Sequence, residues 1–197
     1  MTEWNAALSY LASHLLEVSG FTTTLIGIWL MTRRSMLCWP FIMVANLLYL
    51  TILSRAQLYS GALLQFFYIA FSIYGWWHWR RGVQESGEVR IVPITRHALL
   101  VGLAVGAVGA FLLGWLMSRA SASLAQLDAA LASFSLLATW WQSRKHIANW
   151  ALWIAVDLIY IGEYIYKGLM LTALLYALLV LLALLGLRDW SKAPHAA

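Results

Sequence analysis

The stretch NWALWIAVDLIYIGEYIYKG places Trp150, Trp153, Asp157, Tyr160 and Tyr164 at alternating spacings of three and four residues, one stripe along a helix. Trp39, Asn46 and Tyr49 form a shorter stripe of the same kind, and Gln65 and Tyr68 share a face that continues to Ser72. Together these residues offer ring faces, phenol hydroxyls, amides and one carboxylate. That is equipment for binding a flat aromatic solute, a cation included, by stacking and cation–π contact. Asp157 falls nearly in the middle of its apolar stretch, where a carboxylate costs several kcal/mol unless it is paired, hydrated or neutralised. Its two readings are a solute ligand and a structural hydrogen bond to a neighbouring helix. Glu163 lies roughly 240° around the same helix and points elsewhere. Lys167, four residues on, permits an ion pair at the outer interface, with a vestibule or gating role as the alternative. Trp39 and Trp150 stand near the inner ends of their segments, as gates, interfacial belts or both. Trp29, Trp76, Trp77, Trp79, Trp140, Trp141 and Trp190 read as belts, because indole rings favour the membrane interface.

Catalytic and energy-coupling equipment is missing. The chain has no GxxxxGK[ST] phosphate loop, no HExxH and no GxSxG. The His residues form no ligand set, span 7 has no lysine for a Schiff base, and the single cysteine, Cys38, excludes a disulfide framework. The expectation is no enzyme, no metal and no cofactor. A net charge of +5 is spread between apolar stretches rather than gathered on one basic face, so nucleic acid is not an expected partner.

The elements that position these residues follow from composition. Of 197 residues, 62% are hydrophobic and 11% charged, and mean hydropathy is +0.75. A soluble domain of this size cannot cover so much apolar surface, whereas a bilayer has no need to. Seven spans are expected, near 11–31, 36–54, 58–79, 97–117, 122–142, 148–166 and 168–187, all helical because backbone groups in hydrocarbon must be satisfied internally. The 80–96 segment reads as a surface linker. No cleavable signal peptide is evident, since the start of the chain has Glu3 and no positive region.

Ten basic residues (Arg33, Arg34, Arg80, Arg81, Arg90, Arg96, Arg144, Lys145, Arg188 and Lys192) fall on one side of this arrangement. Arg55, Arg119 and Lys167 fall on the other. The richer side is expected to be cytoplasmic, with the N-terminus outside and the C-terminus inside. A shift of 111 residues lays the first three spans on the last three without a gap: Trp29 on Trp140, Arg33 on Arg144, Trp39 on Trp150, Asn46 on Asp157, Tyr49 on Tyr160, Gly75 on Gly186 and Trp79 on Trp190. Glu17 and Asp128 correspond near the outer starts of spans 1 and 5. Equivalent spans are four apart, so both halves cross in the same direction and span 4 is an inversion linker. The expected fold is an all-α membrane protein with a 3+1+3 parallel repeat. Residues 1–79 form one half, 80–121 the loop and linker helix, 122–190 the other half and 191–197 a cytoplasmic tail. Such repeats suit alternating access around a midplane site. Gly102 and Gly106, four apart in span 4, permit close helix approach.

The segments ANLLYLTILSRAQLYSGALLQFFYIAFSIYGWWHW, LDAALASFSLLATWWQSRKHIANWALWIAVD and YIYKGLMLTALLY resemble the PnuC family of bacterial vitamin transporters. The family's WxxW motif falls on Trp150 and Trp153, whereas Trp39 is followed by Ile42. The resemblance implies a fold like that of full-length SWEET transporters, a homotrimer, and a site in the bacterial inner membrane. It also implies uptake of nicotinamide riboside by facilitated diffusion, made unidirectional by a cytosolic kinase, with thiamine or riboflavin carried by relatives. The expected substrate set is Trp150, Trp153, Asp157, Tyr160, Asn46, Tyr49, Gln65 and Tyr68, with Trp39 and Glu163 as gating candidates.

Overall fold

The computed structural model describes residues 15–57, 59–117 and 125–193. Expectations that fall on residues 1–14, 118–124 and 194–197, including the starts of spans 1 and 5 and Arg119, lie outside these residues. The described residues hold seven α-helices: α1 Leu15–Thr32, α2 Cys38–Arg55, α3 Tyr59–Ser86, α4 Arg96–Met117, α5 Ala125–Ser143, α6 Ala148–Tyr166 and α7 Met170–Ser191. By length and apolarity alone, α1, α2, α4 and α7 are clear membrane spans, where seven were expected. The other three are diluted by polar residues: α3 by Gln65, Ser72 and its basic end, α5 by Ser133, Ser135, Thr139 and Gln142, and α6 by Asn149, Asp157 and Glu163.

The polarity of the bundle is reversed relative to a soluble protein. Asn149, Asp157, Ser72 and Ser135 are buried, while Leu100, Val105, Phe111, Leu174 and Leu181 are exposed. Hydrocarbon is the solvent that makes this arrangement favourable, because a solvent unable to hydrogen-bond rewards apolar exteriors and satisfied polar interiors.

Six helices close a ring in the order α1, α2, α3, α5, α6, α7 and back to α1; α4 stands outside and, among the described residues, packs on α5 alone. Glycines seat α4 there. Gly102 lies against Trp141 and Gly106 against Phe134, and Ser133 Oγ donates to the Gly106 carbonyl at 2.8 Å. The glycine spacing thus serves packing within the chain.

Turns recur at the 111-residue interval. Arg34 and Lys145 both take the left-handed backbone conformation (φ 57° and 64°), as do Gln57 and Gly168 (φ 59° and 74°). These are the points where α1, α5, α2 and α6 end and the chain reverses. α3 runs to Ser86, seven residues past the expected end of span 3, until Gly87 stops it at φ 76°. Its charged last turns project past the apolar zone.

Beneath the ring's centre, at the end carrying Arg33, Arg34, Arg80, Arg81, Arg144 and Lys145 (the basic end), four indoles pack edge to face. Trp39 meets Trp79 at 5.2 Å and 88°, Trp150 meets Trp190 at 5.3 Å and 88°, and Trp79 meets Trp190 at 5.7 Å. Gly75 and Gly186 lie directly under the Trp39 and Trp150 rings, where no larger residue fits. This corrects the belt reading for Trp79 and Trp190, both 0% exposed, and for Trp141, which is also buried. Gly102 makes room for Trp141, and Gly75 and Gly186 make room for the Trp39 and Trp150 rings on which Trp79 and Trp190 pack. Trp29, Trp76, Trp77 and Trp140 keep exposed rings.

Candidate functional site

A cavity of about 250 Å³ occupies the middle of the ring, directly above the indole plug. All eight residues of the expected substrate set line it: Asn46 and Tyr49 from α2, Gln65 and Tyr68 from α3, and Trp150, Trp153, Asp157 and Tyr160 from α6. Local structure explains how α6 presents its stripe. The left-handed Lys145 ends α5, the Asn149 side chain donates to the His146 carbonyl at 2.6 Å, and α6 starts with Trp150 already turned inward. In α2 the equivalent first turn carries Pro40, which needs no amide partner there.

Thr24, Ser72, Ser135, Thr139, Gln142 and Tyr176 complete the polar lining. Sequence reasoning assigned no site role to Thr24, Ser135, Thr139, Gln142 or Tyr176, yet a signal was present. Ser135, Thr139 and Gln142 recur at i, i+4 and i+7 on one face of α5, and Thr24 and Gln65 lie 111 residues before Ser135 and Tyr176. The pairing is general. Thr24 and Ser135, Ile28 and Thr139, Ile42 and Trp153, Asn46 and Asp157, Tyr49 and Tyr160, Gln65 and Tyr176, Tyr68 and Leu179, and Ser72 and Ala183 are each 111 apart, and both members of every pair line the cavity.

The two sets of walls differ in chemistry. Both supply hydroxyls, an amide and tyrosines, but only α5–α7 supply indoles (Trp150 and Trp153) and a carboxyl group (Asp157). Asp157 is 3% exposed, and among the described residues no Lys, Arg or His forms an ion pair with it. The lining contains no basic side chain at all. The cavity is therefore an aromatic chamber with one buried carboxyl group: a flat cationic ring finds an acidic partner there, whereas a phosphate finds no basic one.

The gating candidates lie outside the lining. Trp39 belongs to the plug. Glu163 is buried and bonded to the Lys167 ammonium, which also stands 4.0 Å from Asp128 Oδ1. The expected i,i+4 pair is present, while the depth of Glu163 and the third partner were not foreseen. The Glu163 carboxylate holds the Lys167 ammonium above its ordinary value. Tyr164, the last residue of the α6 stripe, is not in the lining either; it stacks on Tyr176 at 5.2 Å and on Tyr160 at 5.9 Å.

Known proteins resemble this one. The model of the nicotinamide mononucleotide transporter family matches residues 14–192. The nicotinamide riboside transporter PnuC of Escherichia coli K12 is 27% identical over 162 residues, 69% of this chain and 68% of its own. The riboflavin/roseoflavin transporter RibM of Streptomyces davaonensis is 29% identical over 182 residues, 88% of this chain and 81% of its own. The crystal structure of the vitamin B3 transporter PnuC superposes with a TM-score of 0.77 at 19% identity, covering 95% of this chain and 85% of that one, so the fold is shared. The chain belongs to the nicotinamide mononucleotide transporter family: it is a multi-pass membrane transporter, not an enzyme.

Proposed function

Taking that membership as the premise, we propose that the protein carries nicotinamide riboside across the membrane by alternating access, without energy coupling of its own. One observation carries the choice of solute: Asp157 lines the central cavity with Trp153, Tyr160 and Tyr176, and among the described residues no cation pairs with it. A pyridinium ring brings the missing charge and the flat face together. The mononucleotide in the family's description brings a phosphate as well, for which the lining offers no basic residue and one carboxylate of the wrong sign. Riboflavin, named for the Streptomyces relative, is the second reading, and it leaves Asp157 unpaired. The size of the chamber agrees, since ≈ 250 Å³ lies just below the range of drug-sized pockets and suits a ring and a sugar rather than a dinucleotide.

Alternating access rests on the 3+1+3 parallel repeat, which the ring order, the matched left-handed turns and the paired cavity positions support. Residues 1–79 and 122–190 are then the two rocking halves, with 80–121 between them, and the basic end faces the cytoplasm of a bacterial inner membrane. A homotrimer and a cytosolic kinase that traps the solute belong to the same reading. The exposed apolar face of α4 is a surface on which such a trimer could pack. Calorimetric titration of the purified protein with nicotinamide riboside, thiamine, riboflavin and nicotinamide mononucleotide tests the choice. The expected order places the riboside first and the phosphorylated form last; preference for riboflavin, or for the phosphate, removes the argument from Asp157.

A further inference from the structure

The segment between α3 and α4, residues 87–95, crosses the basic end of the ring as a strap. Three hydrogen bonds tie it to both halves. The Arg34 guanidinium, in the α1–α2 turn, donates to the Val89 carbonyl at 3.4 Å. On the opposite side, the Val92 amide donates to the Lys145 carbonyl at 3.0 Å. The His146 Nδ1 lies 3.0 Å from the Val92 carbonyl and donates to it, since a carbonyl can only accept. Val92 and His146 thus form a one-rung parallel bridge. Between these anchors Ile91 is completely buried and Val89 nearly so, both in one apolar cluster with the four indoles of the plug. This burial fixes the strap against the plug, in contrast to its exposed neighbours Glu88 and Arg90.

We infer that the strap is the latch of the inner gate: it caps the indole plug, and it must let go of the Arg34 turn for the cavity to open at the basic end. The inference rests on the alternating-access reading. Rocking the halves apart at this end separates the Arg34 turn from the Lys145 turn, and one short strap cannot follow both. The weaker anchor yields. That is the long Arg34–Val89 bond, whereas the Val92–Lys145–His146 side keeps two bonds of 3.0 Å and travels with α5 and α6. The anchor residues do not line the cavity, so the latch is separable from solute binding.

Two cysteine pairs test this in proteoliposomes, with full-length protein and the native, buried Cys38 retained in all variants. Arg34→Cys with Val89→Cys, bridged by a short bifunctional thiol reagent, fastens the strap to the first half. Val92→Cys with His146→Cys, facing each other across the bridge at a separation a disulfide can span, fastens it to the second. Mass spectrometry reports the bridged fraction, and the single-cysteine variants control for reaction at Cys38. The expected result is at least a ten-fold loss of riboside uptake on bridging 34 to 89, recovered by reduction, with riboside affinity unchanged. Bridging 92 to 146 leaves uptake within two-fold of its reduced form. Undiminished uptake by the 34–89 bridged protein overturns the latch, and loss of uptake only in the 92–146 protein overturns the assignment of the yielding side. Arg34→Ala gives a reading without cross-linking: uptake at or above the wild-type rate is expected, and uptake reduced in a protein of unchanged melting temperature counts against the latch. Riboside uptake by the reduced proteins tests the solute assignment separately, and if riboside does not move, the ratio of bridged to reduced rates is read with whichever solute does.

Discussion

Replacing Asp157 by Asn removes the one carboxyl group of the cavity lining and keeps the shape of the cavity. Asp157 is 3% exposed and without an ion-pair partner among the described residues, so a bound pyridinium becomes its first counter-charge. Two unit charges 4 Å apart attract by about 4 kcal/mol at the effective dielectric of about 20 that suits protein sites. The cost of holding a buried carboxylate in its charged form offsets part of that gain, and an effect of roughly 2 kcal/mol is expected. At 1.36 kcal/mol per decade this is about a 30-fold loss of affinity. Calorimetry on the purified Asp157→Asn variant, with melting temperature as a folding control, measures it. The reduced riboside, which has the same sugar and nearly the same ring but no charge, supplies the discriminating arm: its affinity changes less than about three-fold. Equal losses for the charged and uncharged ligands would refute the electrostatic argument and leave Asp157 a shaping residue; no loss for either removes it from the site.

Other consequences of the geometry can be measured independently. Trp153→Ile, which places in α6 the residue that Ile42 supplies in α2, weakens riboside binding by about 1 kcal/mol, roughly five-fold, through lost stacking. Gly75→Ala and Gly186→Ala drive a methyl into the Trp39 and Trp150 rings and cost about 1–3 kcal/mol each in melting experiments, whereas Gly162→Ala, inside α6 with nothing within 4 Å, stabilises by up to about 1 kcal/mol. Lys167→Ala leaves the buried Glu163 carboxylate without its ammonium and lowers the melting temperature; adding Glu163→Ile, so that both positions match Ala56 and Ile52 of the first half, restores most of it. Burial holds the His146 imidazole below its ordinary value of 6.5, so the folded state binds fewer protons than the unfolded one. The resulting stability is fully present above pH 6.5 and is lost as pH falls through the depressed value, and His146→Asn, whose amide can still donate to Val92, flattens that part of a melting-temperature profile.

Much of this architecture was legible because a membrane forces it. Apolar runs fix helix positions to within a few residues at most ends, and the 3.6-residue period places Trp150, Trp153, Asp157 and Tyr160 on one face before any contact is known. The 111-residue repeat carried more information than was drawn from it. Applied to Gln65 and Thr24 it points to Tyr176 and Ser135, both of which line the cavity. What stayed hidden depends on tertiary fit. Trp79 and Trp190 near span ends look identical to belt residues until Gly75 and Gly186 are seen to open slots for the Trp39 and Trp150 rings beside them. Polar composition made residues 80–96 look like a surface loop, yet the first seven of them continue α3 and Ile91 is fully buried, because a backbone bridge to His146 satisfies the strap's polar groups. Glu163 gave an i,i+4 pair with Lys167, but its depth is set by the packing of α6 against α5, which no local pattern encodes.

The claim that most needs testing is that this chain, alone and without an energy source, moves nicotinamide riboside through the cavity around Asp157. Purified protein in liposomes preloaded with unlabelled riboside, given radiolabelled riboside outside and neither ATP nor an ion gradient, provides the measurement. Rapid counterflow of label into the vesicles is expected, suppressed by excess riboside and strongly reduced in Asp157→Asn at low substrate. Vesicles that take up no label, or that do so only after a second protein or an ion gradient is supplied, contradict it.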